Sequence, residues 1–403
     1  MIPALAGIRV FDGLSWVLAL AWFGRALIAL RGMAQVRDLT GEEGADLPPL
    51  GPTVGPHLSV IVPACNEEAA IQQTLCSLLA STGLQFEMIA VDDRSTDMTG
   101  RRMDEVADQV AADEGPHRLR VIHADDLPAG WLGKPHAMAL AAREATAPWL
   151  LFTDGDMIFH PRALELAMRE AVKSNADHLI LVPTLIFKSA GERAMLAAMQ
   201  ALAQWTIRLW KVEDPRARDF FGVGGFNLVR REIYTQMGGF EGLRMEVLDD
   251  LRFGWKVKRA GYRQRVVLGP ELVRIRWIDG ALGVVRLIEK NGFAIYRYRV
   301  GLLLLACLSL AVSAILPFAA IAAGGWTMVA GLLTCFAIGV VYKAHRRLTQ
   351  VSPWMAIFFA PATLIVIFSF LRSMILALVH NGVDWRGTRY ALDDLRRNAG
   401  RGW

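Results

Sequence analysis

Residues 300–342 contain no Asp, Glu, Lys, Arg or His. A run of this length and apolarity cannot stay in water, and it divides into two pieces, 300–322 and 325–342, each long enough to cross a hydrocarbon core of about 30 Å. A third apolar segment runs over 354–371 and continues past Arg372 to Val379. Near the N-terminus, Gly13–Leu30 is apolar except for Arg25, whose stem suits snorkelling. A basic cluster, Arg31 and Arg37, follows this stretch instead of preceding it, and no small-residue cleavage site is evident. It therefore reads as a retained anchor, not a signal peptide. These segments raise the apolar fraction to 53% and the mean hydropathy to +0.31. The expected organisation is an anchor over 1–37, a linker over 38–57, an α/β domain over 58–280, an interfacial helix over 281–299, a membrane region over 300–380 and a basic tail over 381–403.

Basic residues flank the apolar segments: Arg297 and Arg299 before 300–322, then Lys343, His345, Arg346 and Arg347 after 325–342. The positive-inside rule then puts the middle domain in the cytoplasm of a multi-pass membrane protein, as in a bacterial inner membrane. A full crossing by 354–380 would put the Arg-rich tail (Arg386, Arg389, Arg396, Arg397, Arg401) on the other side. A break at Pro361 would keep it inside. Net charge is only +5 and no basic stripe lies away from the membrane ends, so nucleic acid is not an expected partner. Cys65, Cys76, Cys307 and Cys335 form no metal-type pair and read as reduced thiols.

Residues 38–57 are rich in Gly and Pro, as linkers are. Beyond them, strand patterns at 58–62, 86–91, 118–123 and 149–153 alternate with helical patterns at 67–79, up to about 111, and at 134–146. This alternation implies a parallel sheet covered by helices, with ligands beyond the carboxyl ends of the strands. The acidic motifs fall at those ends.

Pro63, Asn66 and Glu67 follow the first strand and open a helix, where backbone N–H groups favour an anion. Asp92 and Asp93 end the second strand; Ser95 or Thr96 suits the cap of the next helix and Asp97 its first turn. A carboxylate at that strand end can accept the imino N–H of a uracil-type base. Asp154 and Asp156 end the fourth strand with Gly155 between them, so both acids can share one face. Two carboxylates without His or Cys suit a hard ion, Mg²⁺ or Mn²⁺, completed by phosphate and water; when the motif is read alone, an Asx-type turn with solvated aspartates is the commoner account. Asp249 and Asp250 precede an amphipathic helix. One can cap it, and the other is free to serve as a base toward a hydroxyl. Lys134 at a helix start can pair with a diphosphate, and the glycines of Gly222–Gly225 allow close backbone approach or an ordinary turn.

Taken in order, VPACNEE, VDDRSTD, GWLGK, TDGDM, GGFNLVRRE with MGGFEG, and LDD before FGWKVKRAGY resemble family 2 glycosyltransferases of the GT-A fold over about residues 58–280. The flanking apolar segments, and a tail of W-x-G-x-x-Y type at 385–390, are similar to the branch containing hopanoid-associated, carotenoid and ceramide glucosyltransferases. The resemblance implies a Rossmann-like mixed α/β sheet. It also implies nucleotide-sugar binding by Pro63, Asn66, Glu67, Asp92, Asp93, Lys134, Asp154 and Gly225, a Mg²⁺ or Mn²⁺ ion on Asp156 and Asp154, and Asp250 as the base beside Asp249. Here Asp249 replaces the family's usual glutamate. Arg276 and Trp277 match the end of the Q-x-x-R-W acceptor motif of processive synthases, with Val273 at the glutamine position.

The implied activity is inverting transfer of a hexose from a nucleotide diphosphate sugar, UDP-linked in the first instance, to a hydroxyl of a membrane lipid. A processive polysaccharide synthase and an inactive membrane scaffold of the same fold are the competing readings. Too few apolar segments for a polymer channel argue against the first, and the full set of acids against the second.

Overall fold

The computed structural model describes residues 2–51, 55–112, 118–385 and 388–399. Pro52, Thr53 and Val54 of the expected linker, and Arg386, Gly387 and Arg401 of the tail, lie outside the described residues. The chain forms two compact units. One comprises 1–35, 187–207 and 278–383; the other comprises 36–186, 208–277 and 384–403. Residues 187–207, continuous in sequence with the α/β stretch, thus group with the apolar helices.

The second unit is built on strands β1 (Leu58–Ala64), β2 (Phe86–Asp93), β3 (Arg118–Ala124), β4 (Trp149–Phe152), β5 (Met157–Phe159), β6 (His178–Val182), β7 (Thr184–Leu185), β8 (Asn227–Arg230), β9 (Gln264–Leu268) and β10 (Val273–Ile275). Seven of them form one sheet in the order β3-β2-β1-β4-β8-β6-β9. The first four run parallel, separated in sequence by helices Ile71–Leu79, Thr99–Ala112 and Gly133–Glu144. Every residue of β1 is buried, which is why its sequence reads as a near-continuous apolar run instead of an alternating one. Its side chains feed two cores: Leu58, Val60 and Val62 on one face, Ile61 on the other. Beyond β4 the sheet becomes mixed, because β8 lies antiparallel to both β4 and β6.

A smaller sheet, β5-β10-β7, joins two of the acidic and basic motifs. In it β10 pairs antiparallel with β5, with Ile275 opposite Met157. The chain ahead of β1 is less free than its Gly/Pro content suggests. Leu268 donates its N–H to Arg37 O and accepts from Leu39 N–H, both at 2.8 Å, and Leu39 and Leu47 are buried in the core.

In the other unit, helices Val10–Met33, Val300–Ala323 and Gly325–Ala344, together with the helical stretch Pro353–Val379, are long and apolar enough to cross a membrane. Gly331 lets two of them touch: a Cβ there would lie 2.4 Å from Pro317 O. Pro361 does not break the last apolar helix. It sits in the first turn of the α-helix Phe359–Val379, where its missing N–H leaves no intrahelical bond unmade. Arg372, the charge interrupting that segment, pairs with Glu289 at 3.1 Å. Glu289 belongs to helix Gly283–Ile295, which ends before Arg297 and Tyr298, both at positive φ. Ser373 Oγ stitches the same two helices together, donating to Glu289 O at 2.7 Å and accepting from Phe293 N–H at 3.0 Å.

Candidate active site

Two turns at the carboxyl ends of β1 and β2 lock into each other. Asn66, in the left-handed region at φ 54°, donates its N–H to Ser95 Oγ (3.0 Å) and accepts on Oδ1 from Thr96 N–H (2.8 Å). Glu67 N–H donates to Thr99 Oγ1 (2.7 Å), and Glu68 bridges the same turn through its own N–H to Asp97 and through its carboxylate from Met98 N–H. Ser95 and Thr96, expected as caps, thus hold Asn66. Asp97 instead accepts from Thr99 N–H at 2.9 Å at the helix start.

Asp92 and Asp93 diverge in role. Asp92 accepts from Ser95 N–H (3.2 Å) and lies 3.2 Å from His123 Nδ1, whose Nε2 meets Asp104 at 3.0 Å. Burial disfavours the imidazolium, but Asp104 and Asp92 outweigh it and raise His123 above its ordinary value. Asp93 is buried and accepts from Arg94 Nε at 2.9 Å. Its other oxygen demands Gly133: a Cβ there would approach Asp93 Oδ2 to 2.1 Å.

Gly133 opens the helix that carries Lys134, and Lys134 is the cation of the acidic centre. Its Nζ lies 2.6 Å from Asp154 Oδ1 and 3.7 Å from Asp249 Oδ2. Burial alone would lower the ammonium pKa; Asp154, Asp249 and Asp250 together outweigh it and hold the amine well above its ordinary value. Burial pushes the Asp250 carboxyl up, and Lys134 and the N–H groups of Leu251 and Gly224 only partly restore it. Leu251 N–H donates to Asp250 Oδ1 at 2.7 Å. Neither aspartate is the cap of its helix: Leu248 stands at that position, and Asp249 and Asp250 fill the first turn, where the helix dipole favours negative charge.

The loop Phe221–Gly225 threads between these acids. A Cβ on Gly222 would lie 2.0 Å from Asp250 O, and one on Gly224 would lie 2.4 Å from Asp154 Oδ2 and 2.9 Å from Lys134 Nζ. These are close approaches of backbone to the acids and to Lys134, a stronger requirement than an ordinary turn. Gly225 O accepts from Thr153 Oγ1 at 2.8 Å, fixing the loop to the residue ahead of Asp154.

The structure therefore brings Lys134, Asp154, Asp249, Asp250 and the glycine loop together, and it puts Asp93 beside the same helix start through Gly133. Asn66 and Glu67 belong to the interlocked turns, whereas Pro63 lies within β1, opposite Val91 of β2, instead of after the strand. Asp156 is half-buried just ahead of β5, and Arg276 and half-exposed Trp277 directly follow β10. Carrying the β5–β10 register one residue further sets Arg276 across from Asp156. Arg94 and Gln264, the latter bonded to Phe221, were not singled out by the sequence; Arg94 had a signal in its place directly after Asp93.

Among the described residues no three His, Cys, Asp or Glu side chains converge on a metal position. Asp154 and Asp156 offer two carboxylates, with no nitrogen or sulfur donor. That is the protein share of a Mg²⁺-type site completed by phosphate oxygens, so the donor set fits a hard divalent ion.

Residues 59–251 match the sequence model of Glycosyl transferase family 2. No curated relative matches the chain in sequence. Among solved structures, the chain is similar to the mannosyltransferase PcManGT from Pyrobaculum calidifontis in complex with GDP-Man and Mn²⁺, at 18% identity over 92% of this chain and 99% of that one, TM-score 0.49. It is also similar to residues 1–349 of TarS from S. aureus, at 14% identity over 85% and 90%, TM-score 0.38. The matched span runs from β1 to the first turn after Asp249 and encloses the glycine loop and Lys134 as well as the acids; residues 59–251 form a family 2 glycosyltransferase domain of the GT-A type.

Proposed function

We propose that the chain is an inverting hexosyltransferase that uses a nucleotide diphosphate sugar and delivers the sugar to a hydroxyl of a membrane lipid. The observation that carries this reading is the acidic centre: one ammonium, on Lys134, set among Asp154, Asp249 and Asp250. Asp250 is the base. Its burial raises its proton affinity toward what proton abstraction requires, and general-base help of this kind contributes about 10²–10⁴-fold. Lys134 meets the diphosphate and offsets the charge that develops on it as the anomeric bond breaks. Asp156, with Asp154, would hold Mg²⁺ or Mn²⁺, which when bound supplies positive charge to the leaving diphosphate.

Asp93 accepts the imino N–H of the base, with Arg94 beside it as a donor. Asp92, Asn66 and Glu67 hold the turn that receives the nucleotide, Pro63 leads into it, and Gly225, packed on Met157 and Pro183 and bonded to Thr153, anchors the loop on the sugar side. Arg276 and Trp277 face the acceptor. The apolar helices that could span a membrane, and the basic residues at 297–299, favour a lipid acceptor reached from the cytoplasmic side.

The test uses membranes containing the full chain, a labelled nucleotide sugar and lipid extraction. Asp250→Asn and Asp156→Ala should each abolish most transfer into lipid. Near-normal transfer by both variants overturns the site assignment, and a ladder of oligosaccharides in place of a single hexose increment overturns single transfer.

A further inference from the structure

The chemistry above leaves a buried polar cluster unused. Gln264, at the start of β9, is 3% exposed, and its carboxamide pairs with Phe221 in both directions. Its Oε1 accepts from Phe221 N–H at 2.9 Å and its Nε2 donates to Phe221 O at 3.0 Å, as a neighbouring strand would. The same nitrogen lies 2.9 Å from His178 Nδ1 and 3.2 Å from Gly254 O. His178 is fully buried on β6, and its Nε2 is 3.1 Å from Asn227 Oδ1. Asn227, on β8, donates Nδ2–H to Val223 O at 2.6 Å. An amide nitrogen only donates, so His178 Nδ1 accepts and its proton sits on Nε2, facing Asn227. The bonds run in one direction, from Gln264 through His178 and Asn227 to Val223.

Both ends of this chain of bonds close on one loop, at Phe221 and Val223. The residues interleaved with them are Gly222, packed on the backbone of Asp250, and Gly224, packed on the Asp154–Lys134 pair. Gly254, third contact of the Gln264 amide, lies in the helix that Asp249 and Asp250 begin, and a Cβ there would lie 1.9 Å from Phe221 O. We infer that Gln264, His178 and Asn227 are positioning residues: they hold Phe221–Gly224 as a fixed spacer that sets the separation of the base Asp250 from Asp154. This rests on the assignment of Asp250 and Asp154 in the proposed function. The polar set meets the backbone groups of Phe221 and Val223 that apolar residues at these three strand positions would leave without these partners; this fixes the loop geometry, and small misplacements at a reacting centre are costly.

The test compares wild type with Gln264→Leu, Asn227→Leu, their double variant and the near-isosteric Gln264→Glu, all as the full chain in detergent. Loss of the spacer should lower kcat about 10- to 100-fold. The KM for the nucleotide sugar and the affinity for nucleotide diphosphate should stay within about threefold, because the turns that hold them are untouched. Amides of Phe221–Gly224 should exchange hydrogen faster in each variant, and the double variant should lose no more than the worse single one, since both act through the same loop. Unchanged kcat and exchange in a folded variant, parallel loss of nucleotide affinity, or multiplying losses in the double variant would each overturn the inference. If the leucine variants do not fold, Gln264→Glu carries the same readouts. Absence of transfer by the wild type would strike the proposed function, and loop exchange alone would then decide the positioning role.

Discussion

The turns around Asn66 and Ser95 and the centre around Lys134 lie at the same end of the same sheet, yet they are built on opposite principles. The turns are closed: Ser95, Thr96, Asp97 and Thr99 meet the N–H groups and side chains of Asn66, Glu67 and Glu68 bond for bond. The centre gathers charge: the Lys134 ammonium faces Asp154, Asp249 and Asp250. A frame whose hydrogen bonds are already made can receive a ligand without rearranging. In the proposed function the acidic centre is completed by the positive charge of a bound ion. On the proposed function, the difference separates recognition, fixed in advance, from catalysis, completed by what binds.

The largest effect that would sharpen this contrast comes from Lys134→Met. Removing a pre-positioned cation should cost transfer about 10²-fold or more. It should also move the acidic limb of the kcat/KM profile to higher pH. Lys134 favours the carboxylate of Asp250, so without it Asp250 keeps its proton to higher pH. A limb that stays or moves to lower pH would break the distinction between the two regions.

His178 tests whether a neutral frame stays neutral. Burial lowers its pKa from 6.5 to about 4, partly opposed by Asn227, so below about pH 6.5 the unfolded chain binds a proton that the folded chain refuses. Stability is therefore complete above pH 6.5 and declines as the pH falls toward 4, by about 2 kcal/mol at pH 5. Thermal melts should show Tm falling between pH 7 and pH 5, with a shallower fall in His178→Asn. Equal slopes would remove His178 from the frame.

The smallest effect is expected at Ser95→Ala, which removes the acceptor for Asn66 N–H. A loss of about 1 kcal/mol should raise the nucleotide KM a few-fold and leave the acidic limb of the profile where it was. A shift of that limb would mean the turns and the acidic centre share their charge.

Much of this architecture was legible in the sequence because the acidic motifs directly follow apolar strand patterns. Strand ends are where an α/β sheet offers a site, so VPACNEE, VDDRSTD and TDGDM could be placed by position alone. The Gly222–Gly225 run was visible but undecided, since its reason lies in Asp250 and Asp154, distant in sequence. Gln264, His178 and Asn227 gave no signal: each is an ordinary polar residue at the edge of a strand, and only the mixed order β8-β6-β9 brings them together. Ser95 and Thr96 misled because a hydroxyl ahead of a helix ordinarily caps it, and here a neighbouring turn claimed both first.

The stretch from Arg37 to Leu39 carries a practical consequence. Glu170, 1% exposed, is neutralised from two sides, by Arg37 at 2.8 Å and Arg265 at 2.9 Å, and Arg37 and Leu39 hydrogen-bond with Leu268 on the outermost strand of the sheet. Trimming the protein to its first apparent strand at Leu58 would therefore strip a guanidinium from a buried carboxylate and leave the β9 edge open to pair with another molecule. The boundary for an excised catalytic domain lies ahead of Val36, and fragments begun later are expected to aggregate whatever their catalytic residues.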